Sequence, residues 1–268
     1  MTLLVLLAAR AHAGSCCLPS TTALPLVLGG CERWGAGLTL GGTERLGGWA
    51  WDGRMLSEDS YDRHAASLAV AGLARVAGPV QVGVSVPFGV AAVRAGADTE
   101  VAAGPGDLSA QVLVLPAWTE GARLRPSFGL DATVPLGATE PGALATVRAE
   151  AWSVGASAAL ELNHGDGAVA LAVGGQYAPP SASLSGTVAL TEALRLRPWL
   201  DGTGTLGVAL TPTSVRPDLG LGAIVRASPA ARATVRVDLA PPIGGIGRSA
   251  DAEVRVSAAL LVVYPSQP

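Results

Sequence analysis

Between Gly104 and Gly137 the side chains alternate in character, and this alternation restricts the fold more than any other feature of the chain. Leu108, Ala110, Val112 and Val114 alternate with Ser109 and Gln111. After the polar turn Thr119-Glu120-Gly121, Leu124, Phe128, Leu130, Val134 and Leu136 stand against Arg125, Ser127, Asp131 and Thr133. A period of two is the mark of a β-strand with one apolar and one polar face. Each arm of this hairpin runs for about ten residues, enough to cross a bilayer when the strand is tilted.

The same pattern recurs along the chain. Strands are expected at 34–44, 66–76, 80–90, 152–162, 168–177, 183–190, 195–210, 217–226, 234–240 and 253–264, in addition to the two arms of the first hairpin. Short turns are expected at Ala77-Gly78-Pro79, Asn163–Gly167, Thr191-Glu192-Ala193 and Ser228-Pro229-Ala230. They alternate with longer polar loops at 47–62, 94–105, 138–149 and 244–251. The expected fold is all-β: a single up-and-down antiparallel transmembrane β-barrel of about twelve strands, with its tight turns on the periplasmic side.

Composition separates this fold from a soluble sandwich. Hydrophobic residues make up 49% of the chain and charged residues 15%, where a soluble domain carries about a quarter charged. Mean hydropathy is +0.42, yet no apolar run is long enough for a transmembrane helix. The charges that fall within strands share a face with Gly, Ala, Ser and Thr. An exposed charge in mid-membrane costs roughly 2–4 kcal/mol, so that face is expected to line the lumen. Arg125, Asp131, Arg197, Trp199, Asp201, Arg226, Arg236, Asp238, Glu253 and Arg255 are the candidate lumen-lining residues. Arg197, Asp201, Asp218, Arg226, Arg236, Asp238, Glu253 and Arg255 are expected to form a ladder of paired charges on the last four strands. The net charge of −3, with no lysine and no basic cluster, argues against a nucleic-acid partner.

The first residues, 1–13, carry a short apolar core and Ala11-His12-Ala13, an A-x-A pattern, and read as a signal peptide. Residues 14–33 form a Cys-containing segment, and 34–268 the barrel. In an oxidising compartment Cys31 is expected to pair with one of the neighbouring Cys16 and Cys17, Cys17 being the candidate. Metal capture by Cys16, Cys17 and Cys31, or lipidation of Cys16, are the alternatives. Gly202–Gly207 matches G-x-G-x-x-G, but it lies within a period-2 run without the helix that a dinucleotide site needs. His64 and His164 are the candidates for hydrolytic chemistry, and they fall far apart in the expected layout, so neither an enzyme nor a cofactor is expected. The tryptophans fall mostly at strand ends, as in an interfacial girdle. Tyr264 ends an alternating apolar run near the C-terminus, a feature of strands that the outer-membrane assembly machinery reads.

Gly106-Asp107-Leu108, the alternating strand behind it, and the closing Pro135-Leu136-Gly137 resemble the MetA-type phenol-degradation-pathway family of outer-membrane transporters. The resemblance extends loosely from Gly35 to the C-terminus. It implies an outer-membrane barrel of a Gram-negative bacterium that passes small apolar or aromatic solutes and has no catalytic residues. Two other functions fit the same wall: a binding barrel whose lumen is closed by its charges, and an outer-membrane hydrolase.

Overall fold

The computed structural model describes residue 28 and residues 32–265, except 51–54, 57–61, 96–97, 117–122, 137–151, 165–166, 180–182, 212–213, 229 and 241–248. The expected signal peptide, the three cysteines, Trp51, Trp118 and the Thr119–Gly121 turn lie outside the described residues. So does the side chain of Trp49.

The strands are β1 (Glu32–Ala50), β2 (Met55–Leu56), β3 (Asp62–Ala77), β4 (Val80–Ala95), β5 (Asp98–Pro105), β6 (Leu108–Val114) and β7 (Leu124–Val134). They continue with β8 (Ser153–His164), β9 (Gly167–Ala178), β10 (Ser183–Arg197), β11 (Leu200–Thr211), β12 (Ser214–Ser228), β13 (Ala231–Ala240) and β14 (Ser249–Pro265). Each pairs antiparallel with its neighbours, and β1 closes on β14 from Glu32↔Pro265 to Ala50↔Ser249. The result is a closed twelve-strand barrel. The short β2 extends the end of β1, and β5 pairs with β4 above β6. Both chain ends of the barrel share a rim with the tightest turns, where Ala77 pairs with Val80, His164 with Gly167, Arg197 with Leu200 and Ser228 with Ala231. Gly78 adopts φ 39° in the first of these turns, a left-handed conformation that favours glycine.

Burial is inverted relative to a soluble domain. On β7, Leu124, Phe128, Leu130 and Val134 are exposed while Arg125, Ser127 and Thr133 between them are buried. The same phase holds on β13, where Val235, Val237 and Leu239 face out and Arg232, Thr234, Arg236 and Asp238 face in. A monomeric soluble protein rarely exposes a contiguous apolar surface of this extent. Hydrocarbon solvates it, and in hydrocarbon only a closed sheet satisfies every strand's backbone. Trp34 stacks on Tyr264, ring centroids 5.1 Å apart, across the β1–β14 seam at the tight-turn rim. Trp199 is exposed at that rim, and Trp152 and Tyr177 are exposed at the opposite one. Aromatic residues thus mark both edges of the apolar band, as at a membrane interface.

Several boundaries differ from the expectation. The 47–62, 94–105 and 244–251 loops are shorter than the polar composition suggested, because β1, β4, β5 and β14 extend into them. Between Phe88↔Pro105 and Ser85↔Ser109 the register steps by one residue, and the Gly106 N–H donates to the Pro87 carbonyl at 2.7 Å. Gly106-Asp107-Leu108 is therefore a bulge in a strand continuing from β5 into β6. The Thr191–Ala193 turn does not form. Strand β10 runs on to Arg197, the turn is Pro198-Trp199, and Glu192 is exposed on the outer face between Leu190 and Leu194. A charged residue suggested a turn, but the leucine alternation on either side fixes the strand.

Leu221 is 73% exposed at the middle of β12. Leu221→Arg is expected to destabilise the barrel by about 2–4 kcal/mol in lipid, measured by denaturant unfolding in vesicles. An unchanged midpoint would place that face away from hydrocarbon.

Candidate functional site

The candidate site is the barrel interior, built from alternate residues of the twelve strands. Among the described residues, its ion pairs fall into three groups.

Near the tight-turn rim, Arg125 of β7 and Glu161 of β8 are register partners, and Arg125 Nη1 lies 3.2 Å from Glu161 Oε1. Both side chains are buried. Farther round the same rim, Asp201 receives Arg195 Nε at 3.5 Å and Arg226 Nη2. Arg226 Nη1 also donates to the Pro198 carbonyl at 3.2 Å, tying β12 to the β10–β11 turn.

The second group lies at mid-height. Thr191, Thr205, Gly220 and Asp238 are successive register partners across β10 to β13. Arg236 pairs with Asp238 on its own strand and donates from Nη1 to Thr205 Oγ1 at 3.2 Å, while Thr205 and Thr191 hydroxyls lie 3.0 Å apart. The third group, toward the long-loop rim, links β12 to β14 across β13. Arg216 Nη1 lies 3.0 Å from Glu253 Oε2, and Arg255 Nη2 lies 2.8 Å from Asp218 Oδ2.

Two inward glycines make room for these charges. A Cβ at Gly220 would stand 2.5 Å from Asp238 Oδ1 and 2.8 Å from Arg236 Cζ. A Cβ at Gly155 would stand 2.5 Å from Asp131 Oδ1. The ion pair on β13 and the Asp131 carboxylate therefore lie along the wall, over backbone that lacks a side chain.

Of the ten residues singled out in the sequence, Arg125, Asp131, Asp201, Arg226, Arg236, Asp238, Glu253 and Arg255 carry inward parity and are buried or half-buried. Arg236 and Arg255 each meet a carboxylate, but through a same-strand neighbour and across an intervening strand instead of by adjacent-strand pairing. The other two are corrected by the longer β10. Arg197 is its last residue and is exposed, and Trp199 is 54% exposed in the turn. His64 at the start of β3 and His164 at the β8–β9 turn sit at opposite rims. Gly202–Gly207 lies inside β11.

Glu161, Arg195, Arg216 and Arg232 also carry inward parity and were not among the residues singled out in the sequence, although the same alternation could have found them. A further interior residue, Leu28, was not visible in the sequence at all. Leu28, ahead of β1, is fully buried against Ala71, Leu73, Leu261 and Val263. These neighbours, and Gly35 beside them, all have inward parity, so Leu28 lies inside the tight-turn mouth. Gln81 of β4 holds its backbone, accepting from the Leu28 N–H at 3.0 Å and donating to its carbonyl at 2.8 Å. Arg75 Nη2 reaches the same carbonyl at 3.4 Å. A side-chain amide copies the pairing of a strand here, which no local pattern around Leu28 encodes.

No family model matches the chain, and no curated protein matches it. Solved structures do. An outer-membrane channel from Pseudomonas putida F1 superposes with a TM-score of 0.71 at 13% identity, covering 92% of this chain and 98% of that one. The fold is that of an outer-membrane barrel. The translocator domain of the autotransporter NalP from Neisseria meningitidis gives 0.53 at 12% identity, over 87% of this chain and 88% of that one. The KdgM porin gives 0.51 at 9%, over 85% and 99%.

Removing one member of the buried Arg125–Glu161 pair strands the other. Arg125→Ala is expected to cost about 3–5 kcal/mol, and the double variant with Glu161→Ala clearly less. Unfolding free energies in detergent check this, and equal costs for single and double variants would contradict it.

Proposed function

We propose that the chain is a passive outer-membrane channel for small solutes, with the interior described above as its path. The observation that carries this reading is the way the mid-height charges are stored. With glycine beneath them, the Arg236–Asp238 pair and Asp131 lie against the wall, an arrangement that supports an open axis. A barrel closed by its own charges would send them toward the axis. Twelve strands also give a cross-section between filled eight-strand barrels and wide porins. The fold shared with a channel and a porin supports the same reading.

The eight inward residues, Arg125, Asp131, Asp201, Arg226, Arg236, Asp238, Glu253 and Arg255, line this path. The apolar or aromatic solutes implied by the family resemblance are one class it would serve. Lipid surrounds the barrel, and Tyr264 at the end of β14 is the feature offered to the assembly machinery of a Gram-negative outer membrane. Export by residues 1–13 and a Cys17–Cys31 disulfide complete this reading.

A second reading, a binding barrel with a closed lumen, is favoured by one observation: Leu28 occupies part of the tight-turn mouth. Planar-bilayer recording separates the two. The channel reading expects discrete conductance steps from protein whose gel mobility shifts on boiling. It also expects smaller steps from Gly220→Leu, which pushes Arg236 off the wall. Folded protein without conductance would favour the closed barrel.

A further inference from the structure

Glu161, Asp201, Asp218, Asp238 and Glu253 each meet an arginine inside the barrel. The carboxylate of Asp131, half-buried on β7, has neither a hydrogen bond nor an ion pair among the described residues. Arg125 is the one arginine within the described strands β6 to β9. It lies six residues away along β7, about 20 Å, and is paired with Glu161. Strand β7 stands six strands from β13 in either direction round the ring, so the arginines of β12 to β14 lie across the lumen. A carboxylate that gives up part of its hydration without gaining a donor is held at a cost. What surrounds it is neutral and polar. Gln111 of β6, Asp131, Gly155 of β8 and Gln176 of β9 are successive register partners on the inward face. A Cβ at Gly155 would stand 2.5 Å from Asp131 Oδ1 and 2.6 Å from Oδ2, so the carboxylate leans over β8 from one side. From the other side Gln176 Nε2 donates to Ser153 Oγ at 2.7 Å, on the same strand two residues along. That bond fixes the amide and leaves Gln176 Oε1 as an acceptor. The carboxylate and the amide thus converge over β8, with Gln111 beside them, and all three side chains are half-buried and open to the interior.

We infer that this row is a subsite for the primary ammonium group of a solute. Such a group carries three N–H donors and no acceptor. Asp131 supplies the charge and one acceptor, and the amide oxygens of Gln176 and Gln111 supply the others. The charge-assisted contact to the carboxylate is the strongest of the three. A neutral hydroxyl would leave the Asp131 charge uncompensated, and a quaternary cation would leave the amide oxygens without a donor. The Gln176–Ser153 bond sets part of the site before a solute arrives, which lowers the entropy lost on binding. The subsite deepens the channel reading and rests on it for the passage of solute, giving one side of the path a station for amines.

The test is saturation-transfer NMR on the full chain folded in an uncharged detergent, titrated at constant ionic strength with ethylammonium. Ethanol is the neutral counterpart, and tetramethylammonium carries the charge without N–H donors. Saturable binding of ethylammonium is expected, absent for ethanol and clearly weaker for tetramethylammonium. Asp131→Asn, which keeps the shape and removes the charge, should weaken it roughly tenfold, and Gln176→Leu roughly fivefold. Gly155→Ala keeps every donor and acceptor but displaces the carboxylate, and should weaken binding as well. Glu192→Gln, on the outer face, should bind as the unaltered chain does. If Asp131→Asn lacks the mobility shift of a folded barrel, Gln176→Leu decides the matter. No saturable ethylammonium binding, undiminished binding by the folded deciding variant, or either control compound binding as tightly would overturn the subsite. Binding does not need conduction: ammonium binding in a non-conducting barrel contradicts the channel alone, and conduction without ammonium binding contradicts the subsite alone.

Discussion

The pairing of β1 with β14 is the interaction on which the rest of the structure depends. A strand in hydrocarbon has no water to satisfy its N–H and C=O groups, so a sheet with free edges cannot persist there. The register from Trp34↔Tyr264 to Ala50↔Ser249 removes those edges. Once the ring is closed, each residue has only two destinations, lipid or interior. The alternation of Val235, Val237 and Leu239 with Arg236 and Asp238 then becomes an instruction about which way the wall faces. The Trp34–Tyr264 stack sits at the end of this seam, where an amphipathic ring is favoured by the interface.

The interior follows from the same closure by a different balance. Charges that hydrocarbon would reject are carried inward, where each must still be paired or hydrogen-bonded because the space is only partly wet. Arg125 with Glu161, Arg236 with Asp238 and Arg255 with Asp218 meet that demand. Gly220 and Gly155 let two of the charged groups lie against the wall. Glycine weakens a strand by about 0.5–1 kcal/mol relative to alanine.

The strands and their facing were legible in the sequence because both depend on a period of two that survives local irregularity. The Ala77–Pro79 turn was legible as well, since Gly and Pro suit its tight geometry. The Pro198-Trp199 turn was not. Glu192 interrupts the apolar outer face of β10 with a charge, and a charge in an apolar run looks locally like a turn. What holds the strand is the cross-strand register with Val169 and Gly204, which one segment does not display. Pairing partners were hidden for the same reason: inward parity puts Arg255 inside, but its reach over β13 to Asp218 depends on how neighbouring side chains crowd. Leu28 was hidden most completely, because its place is set by Gln81, 53 residues away.

The central claim is that the alternating faces point to lipid and to the interior in the phase described. Nitroxide labels placed one at a time from residue 219 to 224, with Cys16, Cys17 and Cys31 replaced by Ser, measure this in bilayers. Accessibility to oxygen should peak at 219, 221 and 223, and should be low at 220, 222 and 224. A flat profile, or oxygen peaks at the even positions, would contradict the account.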